Sequence, residues 1–158
     1  MKKYLSVLFI FLSLMACRQV DDKQSLQGKW LFALDPNDIG LTEQWYNKSL
    51  NDTINLPGSL QEQGYGNDIG IETPWTGWVV DKSWYNSPLY EKFRQPGNIK
   101  VPFWLNPDKH YVGVAWYQKE VEIPTSWADR PIELELERTH WETTLFLDGV
   151  EMGKHESL

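Results

Sequence analysis

The stretch from Ile132 to Gly153 constrains the fold more than any other part of the chain. Ile132, Leu134 and Leu136 alternate with Glu133, Glu135 and Glu137, the period-two pattern of a strand with one apolar and one charged face. A second run, Trp141 to Leu147, is rich in β-branched and aromatic residues, and Asp148-Gly149 separates it from Val150. A two-residue Asp-Gly between strand-like runs marks a hairpin, because a type I′ turn needs positive φ at both central positions. The end of the chain is therefore predicted to be sheet in meander order, with one face built for a core.

The earlier chain agrees with that class. In Gly28 to Asp35, Trp30, Phe32 and Leu34 share one face and Leu31 and Ala33 the other, as expected of a strand covered on both sides. Asp35-Pro36-Asn37-Asp38 then supplies turn chemistry. Glu43 to Tyr46 is read as a helical turn, and Thr53 to Leu56 as a short strand stopped by Pro57-Gly58. Leu60 to Lys100 is rich in Gly, Pro, Asn, Trp and Tyr without a clear period; a connection of that length is usually functional or packed on itself. Val101 to Leu105 and Tyr111 to Ile123 are further strand candidates, the second stopped by Pro124. Helix-period signal is almost absent. The expectation is an all-β fold, a sandwich or jelly roll.

The front of the chain reads as a targeting segment. Lys2 and Lys3 precede an apolar run from Leu5 to Met15, too short to span a bilayer. Leu14-Met15-Ala16-Cys17 resembles a bacterial lipobox, in which the cysteine becomes the lipidated first residue of the mature protein. Cys17 is the single cysteine, so no internal disulfide is expected. Residues 1–17 are thus expected to be a lipoprotein signal and 18–25 a tether, with the folded domain from 26 to 158. The expected location is the periplasm or the outer-membrane surface, with the membrane met only through the lipid anchor. Losing Lys2 and Lys3 with the signal takes the net charge from −7 to −9, a poor match for nucleic acid.

Aromatic residues make up 14% of the chain, nine of them Trp. Such rings stack on the C–H faces of sugars while flanking Asp, Asn and Gln side chains supply hydrogen bonds to hydroxyls. The sugar-binding candidates are Trp75, Trp78, Trp84, Trp104, Asn106, Asp108 and His110. Glu133, Glu135 and Glu137 lie on one polar strand face, whereas glycoside hydrolysis needs two carboxyls facing each other across a cleft about 5–10 Å wide. They are read as a solvated face, and no catalytic residue is assigned. His110, His140 and His155 lack metal-ligand spacing. No phosphate loop or nucleophile elbow is present, and no metal or cofactor is expected.

Several motifs in order resemble one family. They are Gly28-x-Trp30-x-Phe32-x-Leu34-Asp35-Pro36, Leu56-Pro57-Gly58-Ser59, Ala115-Trp116-Tyr117-Gln118-Lys119, Leu136-Glu137-Arg138-Thr139-His140-Trp141-Glu142-Thr143, and Leu147-Asp148-Gly149 leading to Gly153 and Ser157-Leu158. Together they resemble the N-terminal sugar-binding domain of glycoside hydrolase family 2, which includes β-galactosidases, β-glucuronidases and β-mannosidases. The resemblance spans about residues 26–158. It implies a jelly-roll, galactose-binding-domain-like β-sandwich, followed by an immunoglobulin-like domain and a barrel that carries both catalytic glutamates, one of them after an Asn. No Asn-Glu dipeptide occurs here, so no catalytic role transfers. The implied role is carbohydrate binding and scaffolding for an exported β-glycosidase. The alternatives are a free-standing carbohydrate-binding surface lipoprotein and a non-functional remnant. The resemblance also implies two or three more strands after Ser157-Leu158. Residues 18–158 alone are then expected to leave strand edges uncovered and to dimerise or lose solubility. Size-exclusion chromatography and a thermal melt check this; a monomer with a sharp, cooperative transition is the opposing result.

Overall fold

The computed structural model of the chain describes residues 22–74, 83–100, 108–139 and 141–157. These fall into two compact units. The larger joins Gln27–Glu120 to Leu136–Leu158 and contains every strand among the described residues; the smaller holds Val121–Glu135 with the segment ending at Leu26. The Cys17 signal and the strand candidate at 101–105 lie outside the described residues.

The larger unit is built on β1, Gly28–Asp35. It is the centre of a three-stranded antiparallel sheet, flanked by β2 (Asp52–Leu56) and β5 (Val114–Gln118). Trp30 stands opposite Ile54, and Phe32 opposite both Asp52 and Tyr117. The sequence makes β1 apolar on both faces, and both faces are used. On one face Phe32 is fully buried, edge-on to Tyr65 at 4.7 Å and tilted against Tyr117 at 5.3 Å. Ile54 is buried beside it in register, and the Tyr65 hydroxyl donates to the Thr53 carbonyl at 2.7 Å. Burying Phe32 alone contributes about 2–3 kcal/mol.

On the other face Trp116 stands opposite Ala33. Its ring packs against Trp45 at 6.2 Å and Phe146 at 5.8 Å, and Phe146 also stacks flat on Tyr46 at 4.6 Å. Trp45 and Tyr46 belong to the short 3₁₀ turn Trp45–Asn47, where one helical turn was expected. Phe146 belongs to the hairpin of β6 (Trp141–Leu147) and β7 (Val150–Ser157). The hairpin turn is the predicted one, with Asp148 at φ 48° and Gly149 at φ 78°. A side chain at Gly149 would also collide with the Asn47 amide, so the turn comes close to the 45–47 loop. The central sheet thus lies between an aromatic cluster and a second β-layer. The fold is an all-β sandwich.

Asp35 fastens the end of β1. It is only 2% exposed, yet its carboxylate accepts from the Ile39 N–H at 2.9 Å, the Gly40 N–H at 2.7 Å and the Trp116 Nε1–H at 3.1 Å. Burial pushes the carboxyl pKa up, but these donors outweigh it and leave the group below the usual carboxylate range. Gly40 is needed because a Cβ there would run into the Trp116 indole and the Asp35 carboxylate.

Two expectations are corrected. Ile132 to Glu137 is not a strand. Its backbone joins no ladder among the described residues, and Ile132, Leu134 and Leu136 stay exposed. Alternation prepares a strand, but ladder hydrogen bonds from a neighbour make one. The Tyr111 to Ile123 candidate shrinks to Val114–Gln118. Before it, Lys109–His110 (β4) pairs with Asn67–Asp68 (β3) as a separate ribbon. Gly113, at φ 151°, lies between the two, and the Tyr111 hydroxyl closes the corner by donating to the Val114 carbonyl at 2.6 Å.

Asp35→Ala leaves two amides and an indole N–H without their acceptor, and should lower the urea-unfolding free energy by about 3 kcal/mol. A carboxylate held below its unfolded pKa contributes fully above that value, and its contribution is lost as the pH falls below about 4. The wild-type melting temperature should therefore fall more steeply below pH 4 than that of Asp35→Ala.

Candidate functional site

The long aromatic connection is ordered from Ser83 to Lys100 by its own packing. Two 3₁₀ turns, Ser83–Asn86 and Pro88–Phe93, are set by Pro88 at the start of the second. Tyr85 is buried between them, and its hydroxyl donates to the Phe93 carbonyl at 3.0 Å. The Arg94 guanidinium donates to the Tyr85 carbonyl and, at 3.2 Å, to the Ser87 carbonyl, and it lies over the Tyr85 ring at 5.7 Å. Burial raises the Tyr85 pKa, and the neighbouring cation only partly opposes it. Asn98 donates to the Lys92 carbonyl at 2.7 Å and the Lys100 N–H to the Phe93 carbonyl at 3.0 Å, closing the loop. A shallow depression of about 360 Å³ on this loop is bordered by Leu89, Glu91, Lys92 and Gln95.

Trp84 sits in this loop. Its ring meets Tyr90 at 5.3 Å and Tyr85 at 5.7 Å, both edge-on, and is half-buried. Asp108 and His110 lie elsewhere in the same unit, on the β3–β4 ribbon. Asp108 is exposed at its entrance, and His110 is half-buried opposite Asn67. The structure thus groups Asp108 and His110 and keeps Trp84 on a different element. Trp75, Trp78, Trp104 and Asn106 lie outside the described residues.

The ribbon adds groups that sequence reasoning missed. Lys109 Nζ lies 2.6 Å from Asp68 Oδ1. That hydrogen bond, and then the charge of Lys109, lowers the Asp68 pKa. Asn67 and His110, the adjacent register pair, lie on the opposite face of the ribbon. No local signal could have revealed the ion pair, because Asp68 and Lys109 are 41 residues apart. Among the described residues, no three His, Cys, Asp or Glu side chains gather where they could hold a metal ion. No helix among them is long and apolar enough to cross a membrane.

What decides the family is a match to its model. Residues 23–157 match the model described as glycosyl hydrolases family 2, sugar binding domain. The chain belongs to this family. The ordered motifs from Gly28 to Ser157 fall within the matched residues, and the β-sandwich agrees with the family's galactose-binding-like fold. The chain is also similar to a β-glucuronidase of Paenibacillus borealis, with 20% identity over 139 residues. That alignment covers 88% of this chain and 17% of the relative. The family 2 domain described here therefore spans about a sixth of that relative's length.

Proposed function

We propose that this chain is the sugar-binding, non-catalytic part of an exported family 2 β-glycosidase, anchored through a lipid on Cys17. The match of the sugar binding domain over residues 23–157 carries the reading. Hydrolysis of the glycosidic bond is assigned to a barrel outside this chain, with an immunoglobulin-like domain between them. The limited coverage of the β-glucuronidase relative leaves room for both. The carbohydrate contacts we propose are Trp84, Asp108 and His110, on two elements of the larger unit, together with Trp75, Trp78, Trp104 and Asn106. The role left to this domain is to hold β-linked sugar near a catalytic domain.

The purified chain is expected to bind β-glycosides at millimolar concentration and to release no nitrophenol from nitrophenyl β-galactoside or β-glucuronide. Turnover would remove the non-catalytic reading, and a failure to bind any of them would remove the sugar-binding one. In cells fed labelled palmitate, the wild-type chain should take up label. Cys17→Ser should not, while remaining at wild-type level; label on the serine variant would move the anchor elsewhere.

A further inference from the structure

We propose that the side-chain amide of Gln63 stands in for a neighbouring β-strand and closes the outer edge of β2 against a strand from a second copy of the chain. β2 pairs on one side with β1 and ends the three-stranded sheet on the other, among the described residues. In an antiparallel ladder, residues whose backbone groups face the neighbour alternate with residues whose groups face away. Two residues of β2 face away and are met there by side chains. The Asn55 N–H donates to Gln63 Oε1 at 2.8 Å, and the Asn55 carbonyl accepts from Gln63 Nε2 at 2.8 Å. The Thr53 carbonyl accepts from the Tyr65 hydroxyl at 2.7 Å. Thr53 and Asn55 are two positions apart, the spacing of backbone groups along one strand edge.

The chemistry of the contact is that of a strand. A glutamine amide carries a carbonyl acceptor and N–H donors in one plane, as a peptide unit does. In a hydrogen-bonded antiparallel pair, opposite residues exchange both N–H···O bonds. Gln63 makes both bonds with Asn55, so one side chain replaces one residue of a partner strand. An unpaired edge is a template for pairing with another chain, and folded proteins cover it. Here the cover is a side chain only eight residues further along.

The loop between them holds that amide in place. Its 3₁₀ turn, Gln61–Gln63, follows Leu60, whose carbonyl accepts from the Gln63 N–H at 3.1 Å and the Tyr65 N–H at 2.9 Å. Gly64, at φ 82°, lets the chain reverse so that Gln63 and Tyr65 both reach β2. Gln63 Nε2 also lies 3.5 Å from the Ser59 carbonyl, and the Tyr65 ring is held edge-on to Phe32 at 4.7 Å. Gly58 leaves the space the amide needs. A Cβ there would stand 2.7 Å from Gln63 Nε2 and 2.9 Å from the Asn55 carbonyl oxygen. Two glycines and two side chains thus converge on the same short piece of edge, Thr53 to Asn55.

The test uses the full chain. Amide hydrogen exchange reads the edge, and sedimentation velocity over a concentration series reads self-association. In wild type the Asn55 amide should exchange at least about tenfold more slowly than an unstructured reference amide. Gln63→Ala and Gly58→Ala should each remove that protection and lower the concentration at which larger species form about tenfold below the wild-type value. Adding Asn55→Pro to Gln63→Ala should restore wild-type association, because proline deletes the outward N–H and leaves the β1 ladder intact. That reversal ties the gain to the β2 edge, which a mere loss of stability would not do. Free exchange of the Asn55 amide in wild type refutes the stand-in, even where the variants do not fold. Gln63→Ala that frees the amide without added association, or association that persists with Asn55→Pro, overturns the guarding role.

Discussion

The buried carboxylate of Asp35 is the interaction on which the larger unit turns. A charge taken out of water is costly unless donors replace the water it loses. Here two amides and an indole do so, and they come from two parts of the chain: Ile39 and Gly40 from the following turn, and Trp116 from β5. The carboxylate thereby fixes where β1 stops, how the 38–47 loop folds back and which way the Trp116 ring faces. Trp45 and Tyr46 follow that turn, and Phe146 of the hairpin packs on Tyr46 and Trp116. One polar group thus positions the apolar contacts by which the second β-layer meets the sheet.

Aromatic residues differ here in how closely their neighbours enclose them. A ring in contact with other rings and with its hydroxyl or N–H satisfied is structural. Tyr85 is the clearest case, enclosed by its own loop with its hydroxyl on the Phe93 carbonyl. Trp84 is intermediate, with two tyrosine edges against it and part of its surface in water. Abundance of tryptophan suggested carbohydrate chemistry, but abundance cannot rank individual rings. Burial and backbone conformation can.

The acidic alternation from Ile132 to Glu137 shows how far local pattern reaches. Its period is that of a strand, yet its backbone joins no ladder among the described residues. A helix closes its hydrogen bonds within one segment, whereas a strand needs a neighbour distant in the chain. Glutamates on one face also make pairing with an identical segment unfavourable, because like charges would stand opposite one another. The six residues form an exposed surface, apolar and acidic by turns.

The amino-acid sequence by itself determined the class of fold, the β1 and β2 segments, the type I′ turn at Asp148-Gly149 and the family. Those depend on side-chain period, on glycine at positive φ and on motif order, all of which are local or linear properties. Of the candidate site it supplied residue types but no arrangement. Tertiary structure alone decided that Asp35, which reads as an ordinary turn residue, is a buried hub. It also put His110 on a ribbon with Asn67 and Asp68, Asp108 at the entrance of that ribbon, and Trp84 on a different element. Each of those outcomes depends on contacts between residues far apart in the chain, such as the 81 positions between Asp35 and Trp116. No local period or spacing encodes which distant group arrives to bury, pair or expose a side chain.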